Sequence, residues 1–124
     1  MGIEVKKFSG EGYFPLISYN GWRVAIANFC ERLREENLCK VERHTKTDEV
    51  FILLQGEAVL HIGMELNRIP MESGKLYNVT CGQWHAISMT PDTKVAIVEN
   101  DDTGKDNTEY YYFKSKKNSG ESNV

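Results

Sequence analysis

Four side chains that can bind a metal ion or move a proton lie in three short segments of the chain. Glu42 and His44 are two positions apart, and in a β-strand that spacing places both side chains on one face. Residues 45–48 are polar and predict a turn, after which Glu49 opens the next segment, while His85 lies in a third. Two imidazoles and two carboxylates on neighbouring strands suit a divalent first-row metal ion with positions left open for water or substrate.

The same residue types allow acid–base chemistry beside the metal ion. Glu42 or Glu49 could serve as a catalytic general base if the ion does not hold its carboxylate firmly. Arg23 shares its strand parity with small apolar residues and could line the interior, whereas Arg43 points away from the face of the proposed ligands. The third histidine, His61, is expected at the surface or beside the ligands rather than among them.

Turn signals at short intervals divide the chain into strand-like segments that would have to position these residues. Residues 49–54 are nearly continuous apolar sequence, which is typical of a strand buried on both faces. Residues 31–37 are charged and predict a loop or one exposed helical turn. About ten short strands without a convincing helix predict an all-β sandwich, jelly roll or small barrel. The predicted strands are residues 21–29, 38–44, 49–54, 58–62, 64–69, 76–79, 85–89, 93–99 and 110–113.

Composition narrows the class of protein and the partners it can have. A chain of 124 residues with 40% hydrophobic and 27% charged residues fits a single domain, which we place at residues 1–114. Residues 115–124 are polar and are predicted to be a disordered tail. A net charge of −3 argues against nucleic acid as a partner, and the absence of a long apolar run argues against a membrane span. Three cysteines without paired spacing favour a reduced, cytoplasmic protein.

Two spaced motifs resemble those of the cupin superfamily. The first cupin motif reads H-x-H, three or four residues, E, six residues and G, and this chain has Glu42-Arg43-His44, four residues, Glu49, six residues and Gly56. The second reads G, five residues, P-x-G, two residues, H, three residues and N. Here it is matched by Gly74, five residues, Thr80-Cys81-Gly82, two residues, His85, three residues and Met89. The resemblance covers residues 42–89.

This resemblance implies a small double-stranded β-helix, or jelly-roll, barrel whose metal ligands would be Glu42, His44, Glu49 and His85. The chain departs from the pattern at the first position, where Glu42 replaces a histidine. A second carboxylate makes the ligand set harder, which favours Mn²⁺ or Fe²⁺, with Zn²⁺ or Ni²⁺ possible. Two other interpretations stay open: Glu42 could be a solvated residue in a site that has lost one ligand, and the two histidines could be hydrogen-bonded without metal.

For function, the resemblance implies a metal-dependent enzyme acting on a small polar molecule inside the barrel. A sugar-like or keto-acid substrate and isomerase or lyase chemistry are slightly favoured, and a dioxygenase is the alternative enzyme. A non-catalytic module that binds or senses a small ligand is the alternative class, and a structural protein with a vestigial site is a third. A homodimer is expected, because the outer face of residues 49–54 is apolar and needs a cover.

Overall fold

The computed structural model describes residues 2–114, which form ten β-strands and three single turns of 3₁₀-helix. The turns span Glu31–Leu33, Glu35–Asn37 and Lys105–Asn107. The predicted all-β class is therefore confirmed, while the predicted tail at residues 115–124 lies outside the described residues. The strands are β1 Gly12–Tyr19, β2 Trp22–Asn28, β3 Lys40–His44, β4 Glu49–Gln55, β5 Ala58–Ile62, β6 Asn67–Pro70, β7 Tyr77–Val79, β8 His85–Met89, β9 Lys94–Asn100 and β10 Thr108–Tyr112.

The strands form two antiparallel sheets of five strands each, as a jelly-roll barrel requires. Sheet I has the order β1-β2-β9-β4-β7, and sheet II has the order β10-β3-β8-β5-β6. From β2 onward the chain passes from one sheet to the other at almost every connection. Each sheet therefore contributes one apolar face to a shared interior.

Alternation along the strands fills that interior. In β9, Val95 and Ile97 are almost completely buried, and their β4 neighbours Leu53 and Phe51 are buried with them. Successive residues of a strand point to opposite faces, so these side chains all point inward. Leu60 of sheet II is 1% exposed and belongs to the same core cluster. The core thus lies between the sheets and holds their inner faces together.

The sequence pattern missed strand β1 and misjudged the extent of strand β6. β1 pairs with β2 through a turn in which Asn20 and Gly21 both have positive φ, the backbone that tight hairpins prefer. Pro15 interrupts its strand pattern, but β1 lies at the edge of sheet I, where proline is tolerated. The predicted strand at 64–69 begins only at Asn67, because the preceding residues form a turn with Leu66 at φ 58°.

The charged segment after β2 is more than a surface loop. Its two 3₁₀ turns agree with the predicted helical turn, but Leu33, the last residue of the first turn, is 7% exposed and packs into the core cluster. Arg68 of β6 holds the same segment through a 2.7 Å salt bridge to Glu35. Residues 31–37 therefore close one side of the interior. Within residues 2–114, no helix is long and apolar enough to cross a membrane.

Candidate metal centre

The two sheets meet at the four residues proposed from the motifs. Glu42 and His44 lie on β3 and His85 on β8, all in sheet II, whereas Glu49 lies at the start of β4 in sheet I. Glu42 is directly paired with His85 in the β3–β8 register. The inward faces of the two sheets therefore bring residues that are far apart in sequence into one cluster.

Glu49 occupies the centre of this cluster. Its Oε1 atom lies 2.9 Å from Nε2 of His44 and 2.9 Å from Nε2 of His85. Oε2 of Glu42 lies 3.4 Å from the same His44 nitrogen. The three central residues are buried, at 3–6% exposure, whereas the Glu42 side chain is 34% exposed. Donor atoms of Glu42, His44 and His85 lie within 4.8 Å of one another, close enough to share a metal ion.

The outer nitrogens of both histidines are held by the protein. Nδ1 of His85 lies 2.9 Å from the carbonyl oxygen of Gln83, and Nδ1 of His44 lies 3.0 Å from the hydroxyl oxygen of Thr108. A carbonyl can only accept, so the His85 Nδ1 atom carries a proton and donates it. This arrangement orients each ring with Nε2 toward the cluster, as metal-ligating histidines are commonly oriented.

Burial and hydrogen bonding act in opposite directions on the ionisation of the cluster. Burial raises the pKa of Glu49, but hydrogen bonds from His44 and His85 and their positive charges outweigh it, lowering the pKa from 4.5 to about 2. Burial likewise lowers the pKa of each histidine, but the Glu49 carboxylate outweighs it and raises both above 6.5. Without metal, the cluster is an ion pair in which one carboxylate serves two imidazoles.

The metal-free protein is therefore expected to lose stability as the pH rises above neutrality. A raised histidine pKa contributes stability that is complete below 6.5 and is lost as the pH rises through the raised value, whereas the Glu49 contribution is lost only as the pH falls from 4.5 through about 2. Denaturant unfolding with a chelator at about pH 5.5 and 8.5 measures the difference. Equal or greater stability at the higher pH would contradict the ion pair, and a His44→Gln, His85→Gln double variant should flatten the profile.

A third buried carboxylate, Glu99, joins the cluster and was not identified from the sequence. The β4–β9 register pairs Val50 with Val98, and Glu49 and Glu99 each lie one residue beyond that pair. Donor atoms of both lie with His44 within 4.8 Å. Burial and the Glu49 charge raise the pKa of Glu99. The parity of β9 could have identified it, because Val95 and Ile97 point inward and Glu99 is two positions further on.

Glu99 is anchored by two residues of the first sheet. The Tyr13 hydroxyl donates to its Oε2 atom at 2.5 Å, and Arg23 donates to the same oxygen at 3.1 Å. Burial and Glu99 together raise the pKa of Tyr13. Arg23 also donates to the backbone carbonyls of Asp101 and Thr103. The interior position that strand parity left open for Arg23 is thus observed, and its role there is to hold Glu99.

Loss of Arg23 should be costly because it leaves Glu99 charged and buried. The side chains of this pair are 19% and 3% exposed, so Arg23→Met is expected to lower the free energy of unfolding by about 2–4 kcal/mol. Chemical denaturation measures the loss, and adding Glu99→Gln should restore part of it. The matched control is Arg68→Met, whose pair with Glu35 is 53% and 36% exposed and should cost less than about 1 kcal/mol. Equal losses in the two variants would contradict this assignment.

A cavity of about 330 Å³ opens beside the cluster, near the lower end of the range for small-molecule sites. Glu42, His44, Glu49, His85 and Glu99 all line it. Tyr13 and Tyr110 also line it and are partly exposed, so they lie toward solvent. The cluster therefore has the surroundings of a binding site.

Two other polar residues lie outside the cluster. Arg43 pairs with Glu109 and stacks over Trp84, so it faces away from the ligands as its parity predicted. His61 was expected at the surface or beside the ligands, but it is 2% exposed and its Nε2 lies 2.7 Å from the Ser88 hydroxyl. On β5, His61 alternates with Leu60 and Ile62, which pair with the inward residues of β8. It therefore lies on the opposite face of sheet II.

Comparison with known proteins rests on structure, because the sequence matches no family model and no curated protein. The fold is similar to that of a cupin-2 domain containing protein from Shewanella frigidimarina, with a TM-score of 0.55 and 21% identity over 75% of this chain and 84% of that one. It is also similar to Streptomyces Pac13, solved with uridine, with a TM-score of 0.65 and 10% identity over 90% and 88%. KdgF from Halomonas sp. gives a TM-score of 0.57 and 14% identity over 73% and 78%. This protein has the cupin fold.

Within the cupin fold, hydrogen bonds from backbone amides connect the turn of the second motif to the first motif. The Gly82 amide donates to the His44 carbonyl at 2.8 Å, and the Cys81 amide donates to the Asp48 carboxylate at 2.8 Å. These bonds fix the turn that leads into His85. Gly56, which ends the first motif, has φ 82°, and a side chain there would come within 2.7 Å of the Thr93 backbone. Glycine is therefore required where the first motif ends, because it alone adopts this backbone without strain or a clash.

Proposed function

We propose that this cupin-fold protein is a metal-dependent enzyme that holds one divalent ion through Glu42, His44, Glu49 and His85. The observation that carries the proposal is the convergence of two histidine Nε2 atoms on one carboxylate oxygen, at 2.9 Å each, beside a cavity. Histidine nitrogens and carboxylate oxygens are the ligands that first-row divalent ions take in proteins.

The donor set fits such an ion in orientation and in charge. Both histidines use Nδ1 for protein contacts and aim Nε2 inward, so a metal ion would replace the Nε2 protons. Two neutral histidines with Glu42 and Glu49 would balance two positive charges. The carboxylate share favours Mn²⁺ or Fe²⁺ over softer ions, with Zn²⁺ or Ni²⁺ as alternatives. When bound, the ion would supply Lewis-acid polarisation of a substrate oxygen.

The two carboxylates suit different tasks. Glu49 is buried and bound by both histidines, so its lone pairs point into the cluster. Glu42 is the more exposed of the two and makes a longer contact, 3.4 Å, with His44. A general base must reach the substrate proton. We therefore propose that Glu42 is the more weakly held ligand and also serves as general base, whereas Glu49 is a ligand alone.

A reaction at a carbonyl-bearing substrate, of the isomerase or lyase type, is what these groups support best. A base beside a Lewis acid can remove a proton next to a polarised carbonyl, as a sugar-like or keto-acid head would require. Pac13 is described as a nucleoside dehydratase, so lyase chemistry is compatible with a barrel of this fold.

Elemental analysis of protein purified without added metal tests the proposal. About one Mn, Fe, Zn or Ni per chain is expected, and it should be removed by a chelator. Oxygen consumption by the ferrous protein with candidate substrates then separates the enzyme classes, because a lyase or isomerase consumes none. Protein that neither retains a divalent ion nor binds one on titration would refute the proposal.

One observation favours a second candidate, a binding module without metal. Among residues 2–114, no buried side-chain nitrogen or oxygen lacks a hydrogen-bond partner. The ion pair of Glu49 with the two histidines is therefore a satisfied arrangement on its own. A chain that binds small ligands with equal affinity before and after chelation would support this candidate.

We also propose that two copies of the chain pair through sheet I. Apolar residues of β2, β4 and β9 alternate with the inward residues and so lie on the outer face of the sheet. Ile52, Ala96 and Ile26 form a row across the three central strands, and Trp22 is 43% exposed. A sheet that is apolar on both faces is normally covered, and a second copy supplies a matching surface.

A further inference from the structure

Three strands that carry metal-centre residues also carry apolar residues on the same face, two positions away. Two positions from His85, Glu49 and Glu99 stand Ile87, Phe51 and Ile97. All three apolar residues line the cavity together with Ala27 and Leu33. Because strand side chains alternate with a period of two, the polar residues form one layer and the apolar residues form the next.

The apolar layer is continuous and well supported. Phe51 and Ile97 are directly paired across β4 and β9, and the Phe51 ring packs edge-on against His85 at 5.9 Å. Leu33 is carried to the same place by the 3₁₀ turn after β2 and belongs to the core cluster with Phe51 and Ile97. The cavity thus has a polar side that can hold an ion and an apolar side built from four strands and one turn.

Three cations line the cavity: Arg23, Arg32 and Lys40. Arg23 already donates to Glu99, to Tyr13 and to two backbone carbonyls. The Lys40 ammonium lies over the rings of Tyr110 and Tyr112, and Arg32 is exposed. A hydroxyl or carboxylate placed against Phe51, Ile87 and Ile97 would lose its hydrogen bonds to water without replacement. A body that is polar throughout is therefore poorly matched to this cavity.

We infer that the substrate has an oxygen-bearing, metal-binding head and an apolar, ring-sized body. The inference rests on the proposed function, since the ion fixes the head beside Glu42, His44, Glu49 and His85. The body then lies against the apolar layer formed by Ala27, Leu33, Phe51, Ile87 and Ile97. An apolar body excludes fully hydroxylated, sugar-like substrates and favours amphipathic ones.

Three hydroxamates that share one chelating head and differ in body test the inference on Mn²⁺-loaded protein by calorimetry. Acetohydroxamate has a methyl body, benzohydroxamate a phenyl body and gluconohydroxamate a polyhydroxylated body. Benzohydroxamate is expected to bind about tenfold more tightly than acetohydroxamate, because its ring buries apolar surface, and more tightly than gluconohydroxamate. A ratio to acetohydroxamate below about threefold, or tighter binding of gluconohydroxamate, overturns the inference.

A matched pair of variants locates the effect. Ile87→Asn places an amide in the apolar layer and should reduce the ratio of benzohydroxamate affinity to acetohydroxamate affinity to below about threefold. Ile69→Asn makes the same change on β6, where the side chain is 41% exposed, and should preserve the preference. An unchanged preference in Ile87→Asn overturns the placement of the body.

Two binding results distinguish a wrong substrate body from a wrong metal centre. Protein that binds Mn²⁺ and all three hydroxamates alike refutes the apolar body and leaves the metal centre intact. Protein that binds neither Mn²⁺ nor any hydroxamate refutes the proposed function and this inference with it.

Discussion

Replacing His85 with alanine should weaken divalent-ion binding at least about 100-fold while the barrel stays folded. Loss of a hydrogen-bond partner behind a ligating histidine already costs roughly 10–100-fold in metal affinity, and loss of the ligand itself removes a bond to the ion. His85 is 3% exposed, and its Nε2 atom is one of two that converge on Glu49. Titration of chelator-treated protein with Mn²⁺, followed by calorimetry, measures the change.

The matched control is His61→Ala. His61 is equally buried, at 2% exposure, but it lies on the opposite face of sheet II and bonds to Ser88. Like His85→Ala, this variant loses the stability that a buried imidazole contributes, but it should bind Mn²⁺ as tightly as the unmodified protein does. Glu42→Ala should weaken binding less than His85→Ala, because Glu42 is partly exposed. Full metal content in both Glu42→Ala and His85→Ala would rule out the proposed centre.

Replacing Ile52 with glutamate should convert the protein to a monomer. Ile52 lies beside Ala96 in the row that these two residues form with Ile26 on the outer face of sheet I. In a pair related by a two-fold axis, each substitution would bury a carboxylate against the partner's apolar face. Such a change at the centre of an interface is expected to raise the dimer dissociation constant by about 100-fold or more. Light scattering across a dilution series gives the mass.

A control with the same chemistry distinguishes the interface from a general effect of added charge. Ile69→Glu alters an exposed residue of β6, at the edge of sheet II, and should leave the mass unchanged. Thermal denaturation of both variants checks that the fold is retained. A monomeric mass for the unmodified protein at micromolar concentration would refute the pairing outright.

The barrel and much of the site could be predicted because they depend on local rules. Strand parity places Glu42 and His44 on one face, and motif spacing adds Glu49 and His85. Glu99 was missed because its meeting with Glu49 depends on the pairing of β4 with β9, which are separated by four other strands in sequence. Local alternation could show that Glu99 points inward but not what it meets there.

Two further misses have a common physical cause. Pro15 made the β1 segment look unlike a strand, although an edge position removes the cost of a missing amide. The charged residues around Leu33 suggested a solvated segment, yet this one side chain packs into the core. In both cases the place of the residue in the folded protein decides its structure, and the neighbouring sequence does not show that place.

The division of the ligands between the two sheets has a consequence for the order of events during synthesis. His44 and Glu49 leave the ribosome well before His85, and β8 must insert between β3 and β5 before His85 can reach them. β9 emerges later still and brings Glu99 to the same place. The nascent chain would therefore have no complete coordination sphere to offer. Under the proposed function, ion capture would follow closure of the barrel, and the closed cavity, not the emerging chain, would select the ion.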